Sequence, residues 1–453
     1  MTCFSLDFLY SLKNFPKNLK NFMKKLLRQY LAFLARVLIR RKKPFIIGVT
    51  GTAGKTTVTS FVVQFLQHEF GEDAVEFSRY HYNGEFGLPL TIIGAKTGGK
   101  NLLKWAWVFC VFIKKLFQKY PRFLVLEYGI DTPKEMDFLL SIAIPDVSIL
   151  TPVLPNHIEQ FGTEEAYRNE KLKILVSKKN LIHASLFPFV EASEKNIFYG
   201  KNDKNSSIFV NFVKNTIHGI DGEIVFKNEK NLVEMPVFGE YQMENILPIF
   251  LLAEALGVPA KNVSESAKKF HTEAGRCGIF HGKNDAIIID GSYNGGLLAM
   301  IEGIKSIQKM AENQKIFLFL GDMRELGNLE KSAHETLAHE IENIFEDKNS
   351  VKIFLVGSVM RSIMKPVLEK NFAVTSELSS RIAGQKIAEK IQNSSQKSII
   401  FVKGSQNTIF LEEGIKAFLD EKFHKNLCRQ STEWLIKKEK FFKTVEKNSK
   451  NPA

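Results

Sequence analysis

The chain has 453 residues, of which 44% are hydrophobic, and a formal net charge of +13. That length exceeds what one hydrophobic core supports, so the sequence predicts two or three domains. The cysteines are Cys3, Cys110, Cys277 and Cys428. Their spacing is typical neither of disulfide frameworks nor of metal ligands, and no secretory signal is evident, which favours a reducing cytoplasm.

The positive charge is concentrated at the two ends of the chain. Residues 1–43 hold eleven Lys and Arg against one Asp, and residues 421–453 hold nine against four acidic residues. Residues 44–420 therefore carry a small net negative charge. An enzyme acting on nucleic acid would carry its basic surface on the folded body, so the distribution argues against nucleic acid as a partner.

The N-terminal arm, residues 1–43, predicts an amphipathic helix. Apolar residues recur at helical spacing from Leu19 to Leu38, and Lys and Arg residues lie between them. Such a helix could lie in the headgroup region of an anionic membrane, which predicts peripheral membrane contact through residues 17–39. It could equally dock on the protein with its basic face in water.

The residues from Gly48 to Thr57 read GVTGTAGKTT and follow the apolar run Phe45–Ile47. The pattern predicts a strand that turns through a glycine loop into a helix over Val58–Gln67. Backbone N–H groups at such a turn, together with the positive end of the helix dipole, favour a polyphosphate. The residues expected to contact the nucleotide are Gly51, Thr52, Gly54, Lys55, Thr56 and Thr57. Lys55 would reach the terminal phosphates, and the Thr56 hydroxyl would ligate Mg²⁺.

This loop differs from the commonest phosphate loop, because two residues rather than four separate Gly51 and Gly54. An ordinary strand-to-helix turn is the alternative, but it does not require the sequence Lys-Thr-Thr after the second glycine.

A second apolar run, Trp105–Ile113, is flanked by Lys104 and Lys114. Nine residues cannot span a bilayer. The run predicts either a buried helix or a second contributor to a membrane surface beside the N-terminal arm.

Strands and helices alternate after residue 44, which predicts an α/β fold with a central, mostly parallel sheet. Short apolar runs within 207–238 predict antiparallel strands added to one edge. A second alternation after Gly275 predicts a Rossmann-like doubly wound domain. The predicted domains are an amphipathic arm over 1–43, a central nucleotide-binding domain over 44–274, a C-terminal domain over 275–425 and a basic tail over 426–453.

Two polar residues follow strands near the predicted phosphate loop. Glu127 ends the apolar strand that begins at Phe123, and His157 lies in the loop after the next strand. The carboxyl ends of strands in doubly wound sheets face the ligand crevice, so both residues could hold a second Mg²⁺. Taken alone, each residue is a weak signal, and an exposed loop histidine without a ligand role is the better interpretation of His157.

The segment TPVLPNHIEQFGTEEAYRNEK, over 151–171, resembles the central motif of the Mur ligase family, particularly its D-alanyl-D-alanine-adding branch. The resemblance extends over about residues 44–420. Its other segments are GTAGKTT at the phosphate loop, NGEFGLPL from Asn83, LEYG at 126–129, GEYQMEN ending at Asn245, GR at 275–276, IDGSYN at 289–294, LGDMRELG at 320–327 with His334, and VKGS at 402–405.

Membership of this family would imply an ATP-dependent ligase of peptidoglycan synthesis that joins a muramoyl-peptide carboxylate to an amino acid or dipeptide through an acyl phosphate. The implied cofactors are ATP and two Mg²⁺ ions. The implied roles are these: Lys55 at the γ-phosphate, Thr56 at the first Mg²⁺, Glu127 and His157 at the second, Lys171 as a carbamylated lysine, Asn245 at adenine, Arg276 and Asp290 at the nucleotide, Asn83 at substrate, and Lys403 and Ser405 at the incoming amine.

The sequence also departs from the family pattern. Tyr241 replaces a histidine, Gly291 replaces a second aspartate and Gln406 replaces an arginine. The basic arm stands where the family carries a UDP-binding domain, so a lipid-linked acceptor becomes an alternative. A folylpolyglutamate-type ligase and a non-ligating ATPase or membrane scaffold are further alternatives. The expected location is the cytoplasm, at the inner face of the membrane if the arm binds lipid.

Overall fold

A computed structural model describes residues 17–78, 83–99, 102–154, 158–201, 206–311, 314–324, 326–405 and 409–450. These residues form two compact units. Unit 1 comprises the described residues up to Val213, Gly222–Val233 and Met243–Phe270, whereas unit 2 comprises Lys214–Asp221, Glu234–Gln242 and the described residues from His271 onward. Two short segments before residue 243 therefore belong to unit 2, although the main boundary between the units lies between Phe270 and His271.

The first sheet lies mainly in unit 1 and is mostly parallel, as predicted. Its strands are β1 (Phe45–Thr50), β2 (Val75–Phe77), β3 (Phe123–Glu127), β4 (Val147–Leu150), β5 (Lys179–His183), β6 (Asn196–Lys201), β7 (Ile208–Thr216), β8 (Gly219–Phe226) and β9 (Glu229–Met235). The strand order is β2-β3-β1-β4-β5-β6-β7-β8-β9, and the pairs from β2 to β7 are parallel. Two-residue connections join β7 to β8 and β8 to β9, as in antiparallel hairpins.

Helices cover this sheet. They are α1 (Lys17–Lys42), α2 (Lys55–Phe70), α3 (Gly87–Ile93), α4 (Leu102–Phe117), α5 (Glu135–Ile142), α6 (Ile158–Phe161), α7 (Glu164–Leu172), α8 (Gln242–Ala255) and α9 (Ala260–Ala267). All five residues of β3 are buried, as expected for a strand enclosed on both faces. The helix predicted over Val58–Gln67 is longer at both ends and begins directly after Gly54.

Helix α1 docks on unit 1 through one face. The residues of that face are Leu31, Ala32, Leu34, Ala35 and Leu38, all buried in the core that α3, α4 and α5 share. Arg28 forms an ion pair with Glu85, and its guanidinium lies 4.1 Å from the ring centroid of Phe138. Arg28, which the sequence pattern assigns to the basic face of the helix, therefore lies partly against the body rather than wholly in water. Among the described residues, no helix combines the length and apolar composition needed to cross a membrane.

Unit 2 contains the second sheet. Its strands are β10 (Gly278–His281), β11 (Ile287–Gly291), β12 (Lys315–Gly321), β13 (Val351–Val356), β14 (Ala373–Glu377) and β15 (Ser398–Lys403). The order is β10-β11-β15-β12-β13-β14, and every pair is parallel except β10 with β11. The sequence did not predict β10 or β14, which are the two edge strands.

Helices pack on both faces of this sheet. They are α10 (Leu297–Met310), α11 (Glu330–Ile344), α12 (Lys365–Leu368), α13 (Ser380–Gln392), α14 (Leu411–Ile415) and α15 (Thr432–Lys450). Each face of the sheet has its own hydrophobic core, and alternate residues of a strand point into one core or the other. Ile289 packs with α10 and α11, and Ile288 packs with α13 and α14. Of the helix predicted over Asn407–Phe418, residues 407 and 408 lie outside the described residues. The described part is helical only over Leu411–Ile415, which begins after Phe410, a residue with a φ of 50°.

The segment predicted to be a basic tail is an integral part of unit 2. Lys438 of α15 is buried, and its Nζ lies 2.9 Å from Glu412 Oε1 and 2.8 Å from Glu413 Oε1. Arg429 also pairs with Glu412, at 2.6 Å. The two carboxylates are themselves buried in α14, so the basic residues of the C-terminal segment neutralise them.

Candidate active site

The glycines of the phosphate loop are required by its geometry. Gly54 has a φ of +80° at the start of α2, and a Cβ at this position would lie 2.7 Å from Asn245 Oδ1. Gly51 has a φ of +141°, and a Cβ there would lie 2.0 Å from Thr151 Oγ1. Other residues would be strained at these dihedral angles and would also collide with their neighbours. The loop therefore packs directly against the end of β4 and the first turn of α8.

The segment after β4 accepts hydrogen bonds from the first residues of the phosphate loop. The N–H groups of Thr52 and Ala53 both donate to the carbonyl oxygen of Pro152, at 2.8 and 3.3 Å. The Thr52 hydroxyl donates to the carbonyl oxygen of Leu154 at 3.1 Å. These two amides therefore hold the loop against the segment after β4 and are not available to a phosphate. The amides of the first turn of α2, which includes Thr56 and Thr57, are the N–H groups that a helix start directs at an anion.

Two lysines meet beside the loop. Lys55 Nζ donates to the carbonyl oxygen of Thr52 at 3.1 Å. Lys171, at the end of α7, is only 1% exposed, and its Nζ lies 4.9 Å from the ring centroid of Tyr167. Burial first, and then the charge of Lys55, lower the pKa of Lys171 to about 7, while Asp131 and Glu127 act in the opposite direction.

Glu127 ends β3 directly beside the strand that leads into the loop. It pairs in register with Val49 of β1, and its side chain is buried. Asn83 Nδ2 donates to Glu127 Oε1 at 3.2 Å, and the Asn83 carbonyl oxygen accepts a hydrogen bond from the Gly129 N–H at 2.7 Å. A carboxylate of fixed orientation thus lies at the same edge of the sheet as Lys55 and Lys171.

His157, the second predicted metal ligand, lies outside the described residues. The described residues contain no group of three or more His, Cys, Asp or Glu placed to hold a metal ion. Mg²⁺ does not require such a group, because it is usually held by one or two carboxylates, phosphate oxygens and water. The Glu127 carboxylate and the Thr56 hydroxyl fit that pattern.

Two further residues belong to this site and were not predicted from the sequence. Tyr167 donates or accepts a hydrogen bond with the Thr52 hydroxyl at 3.1 Å, so it connects α7 to the loop. Asp131 is one of the charges that act on Lys171. The sequence contains a clue to each residue. Tyr167 precedes Lys171 by one helical turn, and Asp131 follows the same strand end as Glu127.

In unit 2, Lys403 and Ser405 lie at the carboxyl edge of the second sheet. Lys403 Nζ donates to the Asn294 carbonyl oxygen at 3.0 Å. The Ser405 hydroxyl donates to the Gly295 carbonyl oxygen at 3.0 Å and accepts from the Arg324 N–H at 2.9 Å. These bonds join the loops that follow β11, β12 and β15 into one polar cluster.

Arg276 and Asp290 also belong to unit 2, and their environments differ. The Arg276 guanidinium lies 4.8 Å from the ring centroid of Tyr293 and pairs with Glu273 at 3.3 Å. Asp290 is completely buried, which raises its pKa, and its Oδ1 accepts from the Ser292 N–H at 3.0 Å. In this structure Asp290 therefore presents no surface to a ligand.

Gly291, where the family pattern has an aspartate, is explained by the same strand end. A Cβ at this position would lie 2.8 Å from the carbonyl oxygen of Val402. The neighbouring strand thus leaves no room for a side chain here.

A glycine loop between the central strand of a parallel sheet and a helix, with two lysines and a buried carboxylate beside it, defines an α/β protein that binds a polyphosphate. A profile of the Mur ligase middle domain matches residues 49–253. The chain is 23% identical over 391 residues to the UDP-N-acetylmuramoyl-tripeptide–D-alanyl-D-alanine ligase of Haemophilus influenzae, a match covering 83% of this chain and 77% of that protein.

The ligase of the same name from Bacillus subtilis is 22% identical over 393 residues, covering 85% of this chain and 78% of the relative. The solved structure of the MurF ligase from Thermotoga maritima in complex with ADP has a TM-score of 0.67 at 21% identity, covering 89% of this chain and 85% of that chain. Residues 49–253 thus match the middle domain of the Mur ligases, and over most of its length the chain is similar to D-alanyl-D-alanine-adding ligases.

Proposed function

We propose that this protein is an ATP-dependent, ADP-forming ligase that joins D-alanyl-D-alanine to the terminal carboxylate of a muramoyl tripeptide through an acyl phosphate. The observation that carries the proposal is the convergence of Lys55, Lys171 and Glu127 beside a phosphate loop. The names of the two curated relatives supply the substrate class.

The chemical problem is electrostatic, because an anionic carboxylate must attack the γ-phosphate of ATP. The carboxylate oxygen bonds to the γ-phosphorus as the bond to ADP breaks. The unprotonated amine then attacks the acyl carbon, its nitrogen loses one proton, and phosphate leaves with the bonding electron pair. Positive groups that neutralise charge in the transition state are therefore needed more than an acid or a base. Lys55 and the helix start at Thr56 and Thr57 supply that charge at the phosphates.

Two Mg²⁺ ions would neutralise the remaining phosphate charge when bound. The Thr56 hydroxyl would hold the first. Glu127 and His157 would hold the second, and Asn83 fixes the direction of the Glu127 carboxylate. Asn83 would also contact the substrate carboxylate, since it lies at the same strand end.

Lys171 is suited to form a carbamate. Reaction of an unprotonated amine with CO₂ forms an N–C bond, releases one proton and leaves an anion. A lysine with a pKa of about 7 is unprotonated in a large fraction at neutral pH. The resulting anion would support the second Mg²⁺ and would replace a lysine charge that lies close to the charge of Lys55.

The remaining site residues extend the proposal to the other substrates. Asn245 lies against Gly54 and would contact the adenine. Arg276 would contribute to nucleotide binding, and Lys403 and Ser405 would receive the incoming amine. We assign these functions to domains over 44–274 and 275–425.

We also propose that the enzyme acts in the cytoplasm, at the inner face of the membrane, with peripheral contact through residues 17–39. Its substrates would be the muramoyl-tripeptide carboxylate, the amine of D-alanyl-D-alanine, and ATP. We do not expect nucleic acid to be a partner.

Phosphate release from ATP tests the function. Release should require a muramoyl tripeptide together with D-alanyl-D-alanine, and Lys55→Ala should abolish it without altering the melting temperature. Lys178→Ala is the control, since that side chain is 90% exposed. Turnover with a folate and glutamate, or with a lipid-linked acceptor alone, would replace the proposed substrate. Release without any acceptor would indicate a non-ligating ATPase.

A further inference from the structure

We propose that the outward faces of helices α1 and α4 form one surface that binds an anionic lipid bilayer peripherally. We call it the α1–α4 surface. This inference rests on the proposed function only for the presence of a membrane near the enzyme. The apolar and basic residues that favour lipid binding all lie on these two helices.

The surface is rich in exposed aromatic and aliphatic side chains. They are Phe22, Leu26, Tyr30 and Phe33 on α1, and Trp107, Phe109, Ile113 and Phe117 on α4. Phe22 is 61% exposed, Trp107 is 67% exposed and Phe117 is 78% exposed. Single exposed apolar residues are ordinary, but a group of this size marks an interaction surface.

The core of unit 1 already uses the opposite faces of both helices. On α1, Leu31 and Leu38 are fully buried, and on α4, Val108 and Phe112 are buried. A surface helix of a globular protein normally carries polar residues on its outer face. These helices are apolar on the outer face as well, so burial in the core does not explain that second set of apolar residues.

The C-terminal ends of the two helices are in contact. The guanidinium of Arg41 lies 5.9 Å from the ring centroid of Phe117, and Lys42 Nζ donates to the carbonyl oxygen of Gln118 at 2.6 Å. The exposed residues of α1 and α4 can therefore meet the same flat partner.

The charge of the two helices selects the partner. Residues 17–42 contain nine Lys and Arg, residues 102–117 contain three Lys, and neither helix contains Asp or Glu. Exposed basic residues flank the aromatic ones, among them Lys25, Arg40 and Lys114. Aromatic residues within a basic rim are typical of helices that lie in the headgroup region of anionic membranes.

A second copy of this chain is a poorer partner for the same surface. A two-fold dimer would place identical patches against each other, so the basic rims would face one another without acidic partners. Anionic lipid headgroups supply the complementary charge.

Flotation of the full chain with vesicles tests the proposal. We expect binding to phosphatidylcholine vesicles that contain phosphatidylglycerol, little binding to phosphatidylcholine alone, and weaker binding as the salt concentration rises. Replacing Phe22, Phe33, Trp107 and Phe117 together by Ser should abolish flotation. The control replaces Phe212 and Leu232, which are exposed apolar residues elsewhere in the chain, by Ser and should leave flotation unchanged.

A charge variant separates the electrostatic contribution. Each basic residue near an anionic surface contributes about five-fold to partitioning, so Lys25→Gln, Arg40→Gln and Lys114→Gln together should weaken binding on the order of 100-fold. The control changes Lys178, Lys261 and Lys331, all exposed, to Gln. All variants should retain ATP-dependent phosphate release in solution, since none of these residues is at the phosphate loop.

Absence of flotation of the wild-type chain with anionic vesicles would overturn the proposal, as would equal loss in the control variants. Self-association that the Ser variant removes, without lipid binding, would instead assign the surface to a dimer. The phosphate-release assay tests the ligase proposal independently of lipid binding.

Discussion

Asn245 Oδ1 lies 2.7 Å from the position that a Cβ at Gly54 would occupy. The two residues are far apart in sequence, and their contact brings the first turn of α8 against the start of α2. The conformation of the loop and the position of Asn245 depend on each other.

We expect Gly54→Ala to abolish ATP-dependent phosphate release. The added methyl group must displace Asn245, and alanine is also strained at a φ of +80°. Gly257→Ala is the matched control, because Gly257 has a φ of +72° and nothing within 4 Å of a Cβ. Both variants should lose about 1 kcal/mol of unfolding free energy from backbone strain, but only Gly54→Ala should lose activity. Equal activity in the two would show that the contact with Asn245 is unimportant.

We expect Glu127→Gln to raise the Mg²⁺ concentration needed for half-maximal activity at least about ten-fold, the range found when metal sites lose a supporting group. Glutamine keeps a carbonyl oxygen that can accept the hydrogen bond from Asn83, so the change removes charge with little change of shape. Titration of activity with Mg²⁺ at saturating ATP measures the effect. An unchanged titration curve would place the metal elsewhere.

Lys171→Ala should be nearly inactive and should recover part of its activity in acetate or another short carboxylate, which can replace the carbamate anion. Lys173→Ala is the control, since Lys173 lies two residues further along the chain and pairs at the surface with Asp137 at 2.6 Å. Added carboxylate should not increase the activity of the Lys173→Ala variant. Full activity of Lys171→Ala without added carboxylate would contradict a role for the carbamate.

The same lysine predicts a pH dependence of stability. The pKa of Lys171 is about 7 in the folded chain, against an ordinary value of 10.5. Between these values the unfolded chain binds more protons, so this group makes the free energy of unfolding rise as pH increases from about 7. Lys171→Met should flatten that rise. Urea unfolding in CO₂-free buffer at several pH values measures it, and an unchanged slope would contradict the burial of the charged amine.

Lys438→Ala should destabilise unit 2 by about 3 to 5 kcal/mol, because Glu412 and Glu413 would remain buried with less compensation. Burial opposes ionisation of Glu413, but hydrogen bonds from Lys416 and Lys438 outweigh it and lower the pKa of this carboxyl. Lys440→Ala, an exposed change on the same helix, is the control. Urea unfolding compares the two, and equal stability would mean that the buried pair contributes little.

The sequence alone determined the glycine loop between β1 and α2 and the resemblance to the Mur ligases. The loop is a local feature, since a strand, glycines, a lysine and hydroxyls occur within ten residues. The strands β1, β3 and β4 are continuous apolar runs, and such runs are the usual sign of a parallel sheet with both faces covered. The edge strands β10 and β14 have no comparable pattern because their burial is partial.

Only the tertiary structure decided which distant residues act together. The sequence could not predict the burial of Lys171, because its environment comes from Tyr167, Asp131 and the loop lysine. The C-terminal segment looked like a solvated basic tail, whereas the structure buries Lys438 against acidic residues of another helix. Helix α1 has apolar residues on two faces, and only packing distinguishes Leu31 in the core from Phe33 at the surface. Local patterns specify secondary structure and short motifs, but burial and charge pairing depend on contacts between segments that the chain brings together only on folding.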